Sequence, residues 1–213
     1  MIPVRVLAVR ILANAPESLC RTLGAPEGAS SLAMLTTDCD DATYIALDQA
    51  TKAADVTVCF AKSFYAGAAN ASTPYAGEVI GVLASATPES VRTGLTAAIQ
   101  ALERLGFEDV GVPCLAHTVS STGTFLSHEA GIPPGSALAY CIAPPLESLY
   151  ALDRAMKAAD VRLCRFYAPP TETNFGGGLL SGTQSACTAA CLAFREAVAE
   201  VAAQPLEIQH LNA

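Results

Sequence analysis

The sequence predicts an α+β fold, a helix-on-sheet (α/β) sandwich built twice in tandem, and three observations carry that expectation. Ala46-Leu-Asp-Gln-Ala-Thr-Lys-Ala-Ala-Asp-Val-Thr-Val-Cys59 returns as Ala151-Leu-Asp-Arg-Ala-Met-Lys-Ala-Ala-Asp-Val-Arg-Leu-Cys164, ten of fourteen positions identical at an offset of 105 in a chain of 213 residues. Runs of β-branched residues alternate with Ala- and Leu-rich stretches of helical spacing, the pattern of helices laid on a mostly antiparallel sheet. Apolar residues make up 52% and charged residues 15%, and much of the apolar content is Ala and Gly, which suits closely packed layers. The period exceeds the roughly 20 to 50 residues of a solenoid unit. The halves therefore read as two whole domains, 1–108 and 109–213.

Val4 to Ala13 reads as a strand, Pro16 to Leu23 as a helical turn closed by Gly24, and Ser31 to Thr37 as a second strand. Asp38-Cys-Asp-Asp41 then offers a carboxylate to cap a helix running from about Ala42 to Ala53. Val56 to Tyr65 is a strand, 66–75 a loop rich in small residues, and Glu78 to Ser85 a strand. A helix from Pro88 to Leu105 has Pro at its start and Gly106 after its end. The second half repeats the order: strand Cys114 to Val119, a Ser-Ser-Thr-Gly connection, strand Ala137 to Ala143, and a helix opened by Pro144-Pro145. A strand through Tyr167, a loop from Ala168 to Gly178, a short strand near Leu179, a helix from Gln184 to Ala203 and a tail complete it. Asp48 with Lys52, and Asp153 with Lys157, are i,i+4 acid–base pairs expected on solvated helix faces.

Twelve basic against twenty acidic residues give a net charge of −8, and no Lys/Arg cluster exists to hold a phosphate backbone. Nucleic acid is not an expected partner. The eight cysteines contain no C-x-x-C and read as free thiols in a reducing compartment. Cys187 and Cys191 stand i,i+4 and could share a metal, but no His is near them in sequence. Met1 to Ile11 is interrupted by Arg5 and Arg10 and fails as a signal peptide, and no run is long enough for a membrane span.

Where the two copies differ in charge, one half acts alone. Asp40 and Asp41 stand opposite Pro145 and Leu146, and Glu78 opposite Gly178 once a five-residue deletion is allowed. Brought together, these three carboxylates would form an anionic pocket for a small cation. Each also has a plain structural role: Asp40 as N-cap, Asp41 as a first-turn acid favoured by the helix dipole, Glu78 as a solvated strand end. Gly176-Gly177-Gly178 lacks the Gly-Lys-Ser/Thr ending of a phosphate loop and reads as a flexible loop near a symmetry axis or as a tight turn. His117 is a lone imidazole, and no Ser/His/Asp or Cys/His set is spaced for catalysis.

Thr37-Asp-Cys-Asp-Asp-Ala-Thr-Tyr-Ile-Ala46, Ser63-Phe-Tyr-Ala-Gly-Ala-Ala69, Ala76-Gly-Glu-Val79, Leu115-Ala-His-Thr-Val-Ser120, Ala143-Pro-Pro-Leu-Glu147 and Glu172-Thr-Asn-Phe175 follow one another in an order that resembles the tandem-domain shell proteins of bacterial microcompartments, ethanolamine-utilisation type. The resemblance implies two circularly permuted domains and a homotrimer that imitates a hexagonal tile, a pseudohexamer with a central pore that opens and closes. Such tiles pack edge to edge with themselves and with other shell proteins in the bacterial cytoplasm, enclosing a catabolic pathway with an aldehyde intermediate. It further implies an ethanolamine site on Asp40, Asp41 and Glu78 with Thr173, Asn174 and Phe175, to which Phe107 adds an aromatic face and a cation–π contribution of about 0.5 to 2 kcal/mol. Gly176, Gly177 and Gly178 would then form a pore loop. Zinc near the central pore is also implied, with Glu147 as the matching residue; no cofactor is required and no catalysis is expected. The rival expectation is a soluble trimeric small-molecule sensor, or the shell of another aldehyde-forming compartment.

Overall fold

The computed structural model describes residues 1–64, 77–169 and 171–206; the loop expected over 66–75 and most of the tail lie outside them. Two compact units result: residues 1–106 with 119–136, and residues 107–118 with 137–213.

In the first unit, β1 (Val6–Leu12), β2 (Ser31–Thr37), β3 (Thr57–Ser63) and β4 (Val79–Ser85) form an antiparallel sheet in the order β1-β2-β4-β3. Helices α2 (Asp40–Ala53) and α3 (Pro88–Leu102) pack side by side on it, burying Ile45, Leu47, Val91 and Ala98 with Leu35 and Leu83 of the sheet. The start of α3 obeys the expected chemistry. Thr87 Oγ1 accepts the Ser90 N–H at 3.2 Å and Pro88 occupies the first turn, where its missing N–H costs nothing. The short α1 (Glu17–Thr22) buries Cys20 among Leu32, Val82 and Ala84.

The second unit has β5 (Glu108–Asp109), β6 (Pro113–Val119), β7 (Ala137–Ala143), β8 (Val161–Tyr167) and β9 (Gly176–Gly182) in the order β5-β6-β7-β9-β8. The pairs β5–β6, β7–β9 and β8–β9 run antiparallel. Helices α5 (Pro145–Ala158) and α6 (Gln184–Ala203) close a core of Ala139, Leu152, Leu180, Phe194 and Val198, with Cys114, Cys141, Cys187 and Cys191 as small apolar fillers.

The duplication is visible in the ladders. Each copy carries one bulge in the strand after the repeated helix, between Val58 and Phe60 in β3 and between Leu163 and Arg165 in β8, so the skipped residues are Cys59 and Cys164. Leu83 lies opposite Val58 as Leu180 lies opposite Leu163, so the offset of 105 falls to 180 − 83 = 97 across the intervening loop. The deletion is thus eight residues rather than five. Glu78 therefore corresponds to Phe175, and it is Gly81 that corresponds to Gly178.

The two-residue β5 and one helix were not foreseen. Residues 119–136, expected in the second domain, pack with the first unit and contain α4 (Thr124–Ala130). Its N-cap is Gly123, which has no side chain to offer. The missing cap comes from α2: Asp48 accepts the N–H of Gly123 at 2.7 Å and of Leu126 at 2.9 Å, and Thr51 Oγ1 accepts that of Thr124 at 3.1 Å. Lys52 Nζ donates to the Ser121 carbonyl at 2.7 Å and lies 3.6 Å from Asp48. A Cβ at position 123 would stand 2.2 Å from Thr51 Oγ1, so only glycine permits this approach. Asp48 is consequently fully buried, not solvated, whereas Asp153 and Lys157 keep the expected exposed pair at 2.7 Å.

Candidate functional site

At one end of the first unit, the last residue of β2, the first turn of α2 and the approach to β4 meet. The hydroxyls of Thr37 and Thr43 are 2.7 Å apart, and Thr43 also bonds the Cys39 carbonyl at 2.8 Å, which fixes the turn into the helix. The helix begins at Asp40 itself, two residues earlier than expected, with Cys39 at the N-cap and no side-chain cap. Neither Asp40 nor Asp41 is a solvated capping residue; they are 6% and 7% exposed. Asp38 is the one that turns outward, paired with the Arg5 Nε at 2.7 Å and bonded by its N–H at 2.7 Å.

Glu78 is delivered by a left-handed turn. Gly77 has φ +61°, and a Cβ there would come within 1.9 Å of the Thr37 carbonyl, so the position demands glycine. The Glu78 N–H donates to Thr37 at 2.8 Å and its carbonyl accepts the Phe64 N–H at 3.0 Å, pinning the residue between the ends of β2 and β3. Burial, then the charges of Asp40 and Asp38, raise its carboxyl to about 7. Burial also raises Asp40, opposed by the Ser63 hydroxyl and by the Asp41 N–H at 2.8 Å. Burial pushes the Cys39 thiol far up, with the three carboxylates adding to the effect. The Asp41 side chain also hydrogen-bonds Asp40 and favours its anion, so the repulsion falls on Glu78 and on the Cys39 thiol, and a cation bound beside Glu78 would relieve it.

Tyr44 and Ser63 belong to this site and were missed in the sequence. Tyr44 OH hydrogen-bonds Ser63 Oγ, and the tyrosine ring meets Phe125 of α4 at 6.1 Å. The available signal was spacing: Asp40 and Tyr44 stand i,i+4 on one helix face.

The remaining expected ligand residues lie in the second unit. Thr171 N–H donates to the Phe175 carbonyl at 3.0 Å and Asn174 N–H to the Thr171 carbonyl at 3.1 Å, forming a tight turn that contains Thr173. Asn174 has φ +65°, the left-handed conformation that Gly77 holds at the equivalent position of the first unit. The Phe107 and Phe175 rings pack at 5.2 Å and 41°, so the structure does bring these two together. Gly176, Gly177 and Gly178 are not a loop: they are the buried first half of β9, paired with β7 and β8. Glu147 lies in the first turn of α5, and among the described residues no group of three or more His, Cys, Asp or Glu is placed to hold a metal.

Two helix-on-sheet units of this kind, with residues 31–113 matching the BMC domain, define a tandem-domain protein of the bacterial microcompartment class. The chain is 55% identical over 206 residues to the bacterial microcompartment shell protein EutL of Clostridium perfringens, covering 94% of this chain and 95% of that protein. It is 44% identical to EutL of Salmonella typhimurium over 95% and 94% of the two chains. The crystal structure of the ethanolamine utilization protein EutL from Leptotrichia buccalis superposes with a TM-score of 0.94 at 55% identity, covering 97% of this chain and 98% of that one. The chain belongs to the EutL family of bacterial microcompartment shell proteins.

Proposed function

We propose that the chain is a structural tile of an ethanolamine-utilisation microcompartment in the bacterial cytoplasm, a non-catalytic homotrimer whose subunits bind the small amine ethanolamine and pack edge to edge with other shell proteins. The observation that carries the ligand is the gathering of Asp40, Asp41 and Glu78 at the turn into α2, with both aspartates buried and Glu78 raised by burial and by the charge of Asp40. An ammonium group satisfies all three by charge-assisted hydrogen bonds. The name of the solved relative, an ethanolamine utilization protein, supports the choice of amine. A bound amine then biases the central pore of the trimer through unequal affinity for its open and closed states. The aperture is not set by a mobile glycine loop, since that run is strand.

Assembly has its own support. Leu146, Leu149 and Met156 are 63%, 49% and 39% exposed along one face of α5. Their counterparts on α2 are Asp41, Tyr44 and Thr51, the last two of which meet α4. Calorimetry with ethanolamine tests the site: Asp40→Asn and Glu78→Gln are each expected to weaken binding about tenfold or more, the value of one charge-assisted bond. Unchanged affinity in both removes the site. Light scattering giving a mass other than three chains removes the tile.

A further inference from the structure

We propose that Arg5 is a positioning residue of the amine site, holding the Asp38 carboxylate turned outward and steadying the peptide from which Glu78 hangs. The assignment rests on the site reading above for its ligand. The contacts themselves belong to the ligand-free protein.

One peptide unit joins the two sides. The Thr37 carbonyl accepts the Glu78 N–H at 2.8 Å, and the N–H across the same peptide bond, that of Asp38, donates to the Arg5 carbonyl at 3.3 Å. The Asp38 carboxylate is then divided: Oδ1 accepts the Arg5 N–H and Oδ2 the Nε–H, both at 2.7 Å. Arg5 reaches this position because β1 carries a bulge. Val6 pairs with Thr37 but Ala8 with Thr36, so Leu7 is the extra residue and Arg5 comes opposite Asp38 one rung beyond Thr37. Leu7 in turn closes on the turn that delivers Glu78, since a Cβ on Gly77 would stand 2.8 Å from its Cδ1. The Arg5 side chain is 76% exposed, and an ion pair so open to water adds little to stability. Its effect is on where a negative charge sits.

That charge has Glu78 for a neighbour. Asp40, from α2, and Asp38, from the end of β2, both disfavour the Glu78 anion, and Asp41 and Cys39 stand on the same turn as Asp40. Also on α2, the Tyr44 hydroxyl is bonded to Ser63. From β3, Lys62 pairs with Ile80, farther along β4. From β1, Arg5 brings its cation to this group through Asp38. Freed from the guanidinium, the Asp38 carboxylate can swing beside Glu78 and hold it in the neutral form, which cannot pair an ammonium ion.

The test is carbon-13 carboxyl NMR of the intact, ligand-free protein labelled at glutamate, with Glu78→Gln assigning the resonance. Arg5→Gln keeps the backbone bonds and removes only the guanidinium, and it is expected to raise the Glu78 titration midpoint by about half a pH unit. Arg5→Lys should restore part of that shift. In an Asp38→Asn background no charge is left to release, so Arg5→Gln should there move the midpoint by less than about half as much. Ethanolamine calorimetry from about pH 6 to pH 8.5 should find the rise in affinity displaced to higher pH in Arg5→Gln, in step with the midpoint. A midpoint unchanged or lowered in Arg5→Gln overturns the assignment, and so does an equal shift in both backgrounds. A shifted midpoint in a protein that binds no ethanolamine keeps Arg5 in its place and sinks the ligand reading instead.

Discussion

Glu78 and Phe175 occupy the same place in the two copies, each one residue beyond a left-handed turn made by Gly77 or Asn174. The backbone device is shared and only the projected side chain differs, which is how one copy acquired acid and the other an aromatic ring. Glu78 titrates at about 7 when folded against an ordinary 4.5, so the folded chain binds more protons than the unfolded one between those values. Stability contributed by its neutral form is therefore lost as pH rises through that window. Glu78→Gln should raise the melting temperature relative to wild type at about pH 8 and leave it unchanged at about pH 4. Equal melting temperatures at the higher pH would refute this account. The same ionisation predicts that ethanolamine affinity rises from about pH 6 to pH 8, readable by calorimetry. The acidic identity of this site was legible in the sequence from the copy comparison. Its burial was not, because an aspartate before a helix looks the same whether it caps in solvent or sits in a closed turn.

Helix α4 escaped sequence analysis for a reason that can be named. Capping signals are read within about four residues of a helix start, whereas this start is capped by Asp48, 75 and 78 residues away along the chain. The prediction belongs to the pair of repeated helices. Asp48→Ala strips two charge-assisted bonds from a buried site and should cost about 2 to 3 kcal/mol. Asp153→Ala, at the equivalent exposed position, should cost under about 0.5 kcal/mol. Urea unfolding of both variants measures the contrast, and similar costs would deny Asp48 its role. The glycine run misled in the opposite direction. Glycine weakens an isolated strand, yet here a Cβ on Gly177 would stand 1.9 Å from the Cys141 carbonyl, and one on Gly176 would stand 2.8 Å from Pro169. Close neighbours, invisible to local pattern, make glycine the residue that fits.

At the level of the whole chain, the tandem α+β organisation was readable because the helix–strand repeat survives in ten of fourteen positions. The threading was not, since nothing local tells residues 119–136 to leave the sheet strand before them and pack with the first unit. Cutting the chain after residue 108 should therefore not release an independent domain. The 1–108 fragment lacks α4, leaves Asp48 without its two donors and bares the Tyr44 ring. Circular dichroism of that fragment is expected to show no cooperative melt, and a transition as sharp as that of the full chain would contradict the expectation. The same excursion governs biosynthesis, in which N-terminal parts ordinarily fold first as they leave the ribosome. Here the first unit stays incomplete until residue 136 is made, by which time β5 and β6 have emerged and must wait for β7. The earlier half starts first yet cannot close until part of its sequel has been made, so the two copies leave the ribosome interleaved rather than one after the other.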